Sequence, residues 1–350
     1  MLKPARRRRR RHRLLRRALL GLAICLLTPV LLSLVVALYL QHQLAGQIER
    51  IDGVFGGNHD RPAKTVVATR AVNILLLGTD RRSDEPTTGT AATAASWVAG
   101  AQRSDAIMVL HIDGDRRGAS VISIPRDSWV TIPGHGPGKI NAAFSYGGPS
   151  LAVRTIENVT GIRIDHLAVV DRNGFRELTD SLGGVTLDVP ETVHDSYRDV
   201  TWTAGRHTMS GDEALDYVGQ RAGLPGGDFD RIHRQQHFLR TVLDETLTQE
   251  LVKEPRHAYR VLDILTKNLS VDSDWSVGQM RGLLVSLRHL RSAGIGYLTV
   301  PVAGTGMEGS QSVVHLDRAG NEELWNAVRD DTVSDWLATN PASETPAAVG

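Results

Sequence analysis

Two aspartates and a set of basic side chains carry the chemistry this sequence offers. Asp80 stands in Gly78-Thr79-Asp80-Arg81, directly after the apolar run Asn73 to Leu77 and its glycine. Asp105 opens the next apolar run, in Arg103-Ser104-Asp105. Carboxylates at strand ends can meet at one sheet edge and hold a hard divalent cation such as Mg2+. Arg126, in Pro125-Arg126-Asp127, follows a third apolar run. The proline fixes the exit of that run and places Arg126 to meet an anionic group at the same edge. Arg221, Arg231, Arg234 and Gln235 form a fourth group, with Asp228 and Asp230 interspersed. On a helix starting near Asp230, positions 231, 234 and 235 share a face, because residues three and four apart are neighbours. Guanidinium groups suit phosphate, since they present a fork of donors and stay charged. Gly226-Gly227 lets the backbone before that helix approach a ligand closely. Lys139 follows a glycine-rich turn and either reaches a phosphate or caps its loop. A basic cluster with two acids is the composition of a phosphoryl-transfer site. Each part also has a plain structural reading: aspartates capping turn amides, a Pro-Arg-Asp turn, a salt-bridged and solvated helix face.

The elements that must position these groups follow from apolar patterning. Asn73 to Leu77, Ala106 to Ile112 and Ala119 to Ile124 are dense rather than alternating, as expected of strands covered on both faces. Further strands are expected at His166 to Val170, Val185 to Val189 and Ile295 to Val302. Ile140 to Tyr146 is expected as a short helix stopped by Gly147-Gly148, and Ser150 caps a second one running to Val159. Asp171 caps a helix through Leu182. Ser210 and Glu213 fit a capping box. Longer helices are expected at 230–248, 258–268, 277–291 and 321–328. Residues 83–101, rich in Thr, Ala, Ser and Gly, read as a loop. Strands alternating with helices predict an α/β domain, with a buried mixed sheet flanked by helices on both faces.

Charge is divided along the chain. The formal net charge is +1, yet residues 1–17 hold ten Lys or Arg and no acid. The remainder has 30 basic and 39 acidic side chains, a net of −9. A basic tail on an acidic domain argues against nucleic acid as a partner. Residues 18–40 contain no charge and make a helix of about 35 Å, enough to cross a bilayer. Nine arginines precede it, so the N-terminus is expected in the cytoplasm, against membrane lipid, with the bulk of the chain outside. The expected organisation is a basic cytoplasmic tail (1–17), a transmembrane helix (18–40), a polar stalk (41–70), a catalytic domain (71–338) and a flexible tail (339–350). Cys25 is the single cysteine and lies in the apolar segment, which excludes an internal disulfide and a thiol nucleophile in the large domain.

The ordered motifs make the chain resemble the LytR-CpsA-Psr family of cell-wall enzymes over about residues 72–338. They are Asn73 through Asp80, Arg103-Ser104-Asp105-Ala106 and Ser123-Ile124-Pro125-Arg126-Asp127, then Lys139-Ile140-Asn141-Ala142-Ala143. After these come Gly161-Ile162 with Ile164-Asp165-His166, Asp180 through Val185, Asp228-Phe229-Asp230-Arg231 and Arg234-Gln235-Gln236. The resemblance implies a phosphotransferase. It would take a glycopolymer from a polyprenyl pyrophosphate carrier and join it through a phosphodiester to a sugar hydroxyl of peptidoglycan. It further implies that Asp80 and Asp105 hold Mg2+, with Mn2+ as an alternative. Arg126, Arg221 and Arg231 would bind the pyrophosphate, with Gln235 and Lys139 beside them. The isoprenoid would lie in an apolar tunnel between sheet and helices. Arg126, Asp105 and Arg231 are the expected catalytic groups, with Asp105 or a metal-bound species as general base. One position departs from the family pattern. In Tyr217-Val218-Gly219-Gln220-Arg221 a glycine stands where the family usually has the first of two arginines, and Arg206 is a candidate to fill the gap. Two alternatives use the same groups: hydrolysis of the carrier pyrophosphate, and binding of lipid-linked polymer without catalysis.

Overall fold

The first strand, β1 (Glu49–Ile51), is followed by β2 (Val72–Thr79), β3 (Ser104–Ile112) and β4 (Ala119–Ser123). A hairpin of β5 (Trp129–Ile132) and β6 (Gly136–Lys139) leads into α1 (Ala142–Thr160), then β7 (His166–Val170) and α2 (Arg172–Ser181). Next come β8 (Val185–Val189), β9 (Val193–Asp195), β10 (Val200–Trp202) and β11 (Gly205–Met209), then α3 (Gly211–Gly219) and α4 (Asp228–Thr248). The chain closes with β12 (Ser270–Asp272), α5 (Val277–Ser286), β13 (Ile295–Thr299), β14 (Val302–Glu308), β15 (Gln311–Leu316), α6 (Arg318–Arg329) and α7 (Val333–Thr339). This computed structural model describes residues 48–56, 60–80, 87–88, 97–248 and 263–345. The expected basic tail and membrane helix lie outside them, as do most of the 83–101 loop and residues 258–262. Among the described residues no helix is long and apolar enough to cross a membrane.

Seven strands form one sheet in the order β1-β12-β7-β2-β3-β4-β13. The sheet is mixed: β2 runs parallel to β7 and antiparallel to β3, while β13 runs parallel to β4. Side chains alternate between the two faces of a strand. In β2, Leu75 and Leu77 therefore enter one core with Val109, Ile122, Phe144, Ile156, Leu324 and Trp325, under α1 and α6. Ile74 faces the other way, with Met108, Val121 and Tyr297, toward α4 and α5. The first core is the larger of the two. The second is lined by partly open apolar groups, among them Leu76, Leu110, Leu239, Leu243, Leu283 and Leu287. A third cluster joins the β8–β11 hairpin to α3 and α4 through Leu187, Trp202, Tyr217 and Phe238.

Local chemistry explains the element ends. Asp171 caps α2 through Gly174 N–H, and Ser210 with Glu213 forms the expected capping box of α3. The two helices expected around Gly147-Gly148 form α1 with a break between them, where Gly148 adopts φ 64°. A Cβ at Gly148 would come within 2.7 Å of Trp97, so only glycine fits that corner.

Both ends of the domain differ from expectation. Residues 48–70 are not a free polar stalk. β1 pairs with β12, Ile48, Ile51 and Val54 are buried, and Arg61 ion-pairs with the fully buried Glu157 at 2.7 Å. The compact unit begins at Ile48. At the other end, residues 341–345 are packed rather than loose: Thr345 N–H donates to Tyr297 O at 2.7 Å, and Arg240 donates to Thr345 O at 3.1 Å. A three-residue strand has no periodicity to read, which is why β1 escaped the sequence pattern.

Candidate active site

The C-terminal ends of β2 and β4 and the start of β3 meet at one edge of the sheet. The β2–β3 register slips between Gly78 and Thr79, so that Gly78 faces Ala106 and Thr79 faces Ser104. Asp105 is the extra residue at that slip, and such bulges re-aim a side chain. Asp80 follows immediately on the neighbouring strand. Its backbone N–H donates to Arg103 O at 3.0 Å, and its Oδ1 accepts from Arg103 N–H at 2.8 Å.

Arg126 leaves β4 after Pro125 and donates from Nη1 to Asp105 Oδ1. Its Nε lies 3.5 Å from Asp228 Oδ1 and 3.8 Å from Asp127 Oδ2. Lys139, at the end of β6, pairs with Asp127 at 2.9 Å. From the first turn of α4, Arg231 donates through Nη2 to Asp105 O at 3.2 Å and to Asp228 Oδ2 at 3.1 Å. Four of the expected residues, Asp105, Arg126, Lys139 and Arg231, thus join one connected ionic network, with Asp80 at the same edge. Arg221 is exposed in the loop before α4, near enough for its charge to act on Arg231. Gln235 sits one turn beyond Arg231 on α4, half-buried, and its side chain makes no hydrogen bond among the described residues.

Burial and the neighbouring carboxylates set the electrostatics of the two central arginines. Burial works against the charge of Arg126, but Asp105, Asp228 and Asp127 hold it more firmly protonated than a free arginine. At Arg231, burial lowers the affinity for its proton; Asp228 opposes this, and Arg126 and Arg221 add to it. Arginine stays charged under such pressure, so the buried, crowded guanidinium has unmet demand for negative charge. Nε of Arg126, Nε of Arg231 and Oδ1 of Asp228 are buried without a hydrogen-bond partner. So are Thr79 Oγ1, next to Asp80 in the chain, and both polar atoms of the Gln102 side chain, three residues before Asp105. The two carboxylates, held at rest by Arg126 and the Arg103 amide, are oxygen ligands of the kind a hard divalent cation takes, and Thr79 Oγ1 and Gln102 Oε1 add neutral oxygens nearby in the chain.

A model of the LytR_cpsA_psr family matches residues 46–330. The chain belongs to that family. It is 34% identical over 269 residues to a probable cell wall biosynthesis protein, LcpB, of Corynebacterium glutamicum, covering 77% of this chain and 63% of that protein. It is 31% identical over 210 residues to TagU of Oceanobacillus iheyensis, a polyisoprenyl-teichoic acid–peptidoglycan teichoic acid transferase, covering 58% of this chain and 59% of that protein. The chain therefore spans about three-fifths of the length of these curated relatives. The crystal structure of Bacillus subtilis TagV superposes with a TM-score of 0.60 at 25% identity, over 75% of this chain and 97% of that one.

Two expectations within the LytR_cpsA_psr pattern are corrected by the geometry. Arg234 does not share the ionic face of α4. It stacks over Tyr217 at 4.1 Å and donates to Gln220 Oε1 at 2.6 Å, so it ties α4 to α3. The group beside Gly219 is Arg198, not Arg206. Arg198 Nη2 lies 3.0 Å from where a Cβ at 219 would sit, while Arg206 is exposed on β11 opposite Asp188. Arg198 is held there by Asp195 at 2.7 Å and Asp216 at 2.8 Å. Two contributors stand within the sequence motifs but have no role assigned to them there. Asp228 bridges both central arginines, although an acid at a helix start reads as a cap. Gln236 docks α4 on the sheet, donating to Ser123 Oγ at 2.7 Å and Leu298 O at 2.8 Å.

Proposed function

We propose that the chain is a phosphotransferase that moves an anionic glycopolymer from a polyprenyl pyrophosphate carrier to a sugar hydroxyl of peptidoglycan. The observation that carries this reading is the convergence of Arg126 and Arg231 on Asp105 and Asp228 at one sheet edge, in a chain of this family. TagU of Oceanobacillus iheyensis, named as a polyisoprenyl-teichoic acid–peptidoglycan teichoic acid transferase, supports the same carrier and acceptor classes.

In this reading Arg126 and Arg231 bind the pyrophosphate and neutralise charge that grows on it as the bond to the lipid phosphate breaks. Arg221 and Lys139 extend the anion-binding rim, and Gln235 lies beside them. Asp105, engaged by Arg126 through Oδ1, accepts the acceptor hydroxyl proton at Oδ2. The hydroxyl oxygen forms the new bond to phosphorus, and the lipid phosphate leaves. Asp80, and Asp105 through the Oδ1 that Arg126 gives up when it takes the diphosphate, would hold Mg2+, which supplies Lewis-acid stabilisation of the phosphoryl oxygens. The partly open apolar seam of Leu76, Leu110, Leu243 and Leu283 suits an isoprenoid chain. Residues 18–40 would anchor the protein in the cell membrane with residues 1–17 in the cytoplasm and the catalytic domain outside.

Full-length protein with lipid-linked polymer and peptidoglycan fragments tests this directly. Arg126→Ala and Arg231→Ala should each lower the transfer rate by about 10²–10³-fold. Unchanged transfer by both variants refutes the mechanism, and release of free polymer without linkage marks a hydrolase.

A further inference from the structure

At the opposite edge of the sheet, His111 sits near the end of β3. Six residues of extended chain, about 20 Å, separate it from Asp105. Its ring is completely buried. Nδ1 lies 2.7 Å from Asn73 Oδ1, and Asn73 Nδ2 donates to Arg163 O at 2.9 Å. That second bond orients the amide, so Asn73 presents an acceptor and His111 carries its proton on Nδ1. Nε2 is left for the other side of the ring. It faces Asp331 Oδ1 at 3.1 Å and Asp113 Oδ1 at 3.7 Å. Facing two carboxylates, Nε2 needs either a proton to donate or a cation to bind.

We propose that His111, Asp113 and Asp331 form a structural site for a divalent transition-metal ion of the zinc type. One ligand atom from each lies within 4.8 Å of the others. Metal–ligand bonds of about 2.0–2.2 Å in a tetrahedron place ligand atoms about 3.3–3.6 Å apart, close to the observed spacing. An imidazole with two carboxylates selects zinc-like ions over Mg2+ or Ca2+, which take oxygen donors. The Asn73 bond to Nδ1 is the outer support that metal-bound histidines require.

Two glycines make the space. A side chain at Gly118 would run into Asp113 Oδ2, and one at Gly114 would come within 2.9 Å of Asp331 Oδ2. Gly114 N–H donates to Asp331 Oδ2 at 3.0 Å and fixes that carboxylate. Asp331 holds the left-handed conformation, φ 58°, in the turn between α6 and α7. Arg116, whose charge reaches both carboxylates, directs its donors to the backbone oxygens of Asp113 and Arg70 instead. The ion would clip the C-terminal helix pair to the β3–β4 turn.

Chelator-treated full-length protein in detergent is titrated with ZnCl2 and separately with MgCl2, by calorimetry and thermal denaturation. Zinc should bind at one equivalent and raise the melting temperature, and Mg2+ should do neither at this site. Asp113 lies at the rim, so Asp113→Asn should keep the metal-free melting temperature and weaken zinc binding by about tenfold or more. His111→Gln should abolish the zinc-dependent shift. Co2+ should give the visible absorption of a tetrahedral complex in the parent protein and not in His111→Gln. No zinc binding by the parent, or equal binding by Asp113→Asn and the parent, overturns the proposal and leaves the Nε2 contact to Asp331 as a plain hydrogen bond.

Discussion

Gly219 and Arg198 show how one position sets another. The guanidinium of Arg198 occupies the space into which any side chain at 219 must grow. Gly219→Arg is therefore expected to lower the melting temperature by a few degrees and to leave transfer no faster. Arg198→Ala alone leaves the buried Asp195 without its ion-pair partner, so the double variant should lose less stability than the two single variants summed, and a double-mutant cycle measures that coupling at about 0.5–3 kcal/mol. Faster transfer by Gly219→Arg would show that the position lacks a phosphate contact after all. Asp80, Asp105 and Arg126 were legible because each adjoins an apolar run that ends at the sheet edge. Arg234 was misread because helical spacing gives neighbours on a cylinder, not the partner each one meets. Tyr217 and Gln220 on another element decide its direction, and neither is visible from α4 alone.

At the level of elements, Asp171 is the junction between α2 and the segment at Thr87-Thr88. Its carboxylate accepts from Thr87 N at 2.6 Å, Thr88 N at 3.1 Å, Gly174 N at 2.8 Å and both threonine hydroxyls. Burial alone would raise its pKa, but these donors outweigh burial and hold it below the usual carboxylate value. A depressed folded pKa contributes stability in full above the unfolded value of about 3.9, and that contribution fades as pH falls through the folded value. Asp171→Asn should lower stability near neutral pH by about 1.5–3 kcal/mol. The gap between variant and parent in urea midpoint should then narrow below about pH 4. A gap independent of pH would assign the loss to packing. The cap itself was readable, since Asp before an amphipathic run is a start signal. Its grip on a segment 83 residues earlier was not, because that pairing is purely tertiary. The β5–β6 and β14–β15 hairpins were also missed. Gly134, Gly136 and Gly138, like Gly304 and Gly306, look like loop sequence and leave no alternating pattern.

For the molecule as a whole, the segment from Ile48 to Arg61 decides where the domain can be cut. Its strand completes the sheet edge, and Arg61 neutralises Glu157 in the interior while stacking over Phe55 at 4.3 Å. Losing one partner of a buried ion pair costs about 3–5 kcal/mol. A chain beginning at residue 62 should melt well below one beginning at residue 48, as thermal denaturation would register. Equal melting temperatures would mean that the segment is dispensable. The α/β class and the alternation of strands with helices were clear from patterning. The true start of the domain was not, because polar residues conceal three buried aliphatic anchors.

At rest, the acids of the reactive edge are matched to its cations: Asp105 to Arg126, Asp228 to Arg231 and Arg126, Asp127 to Lys139. A diphosphate arriving alone must compete with carboxylates for the guanidiniums, and a divalent ion arriving alone must compete with guanidiniums for the carboxylates. Arriving together, each takes the partner the other displaces, and the edge stays neutral throughout. Their affinities should then rise together, each strengthening the other by one and the same factor. Measuring pyrophosphate binding across a Mg2+ series, and Mg2+ binding across a pyrophosphate series, would return that factor twice.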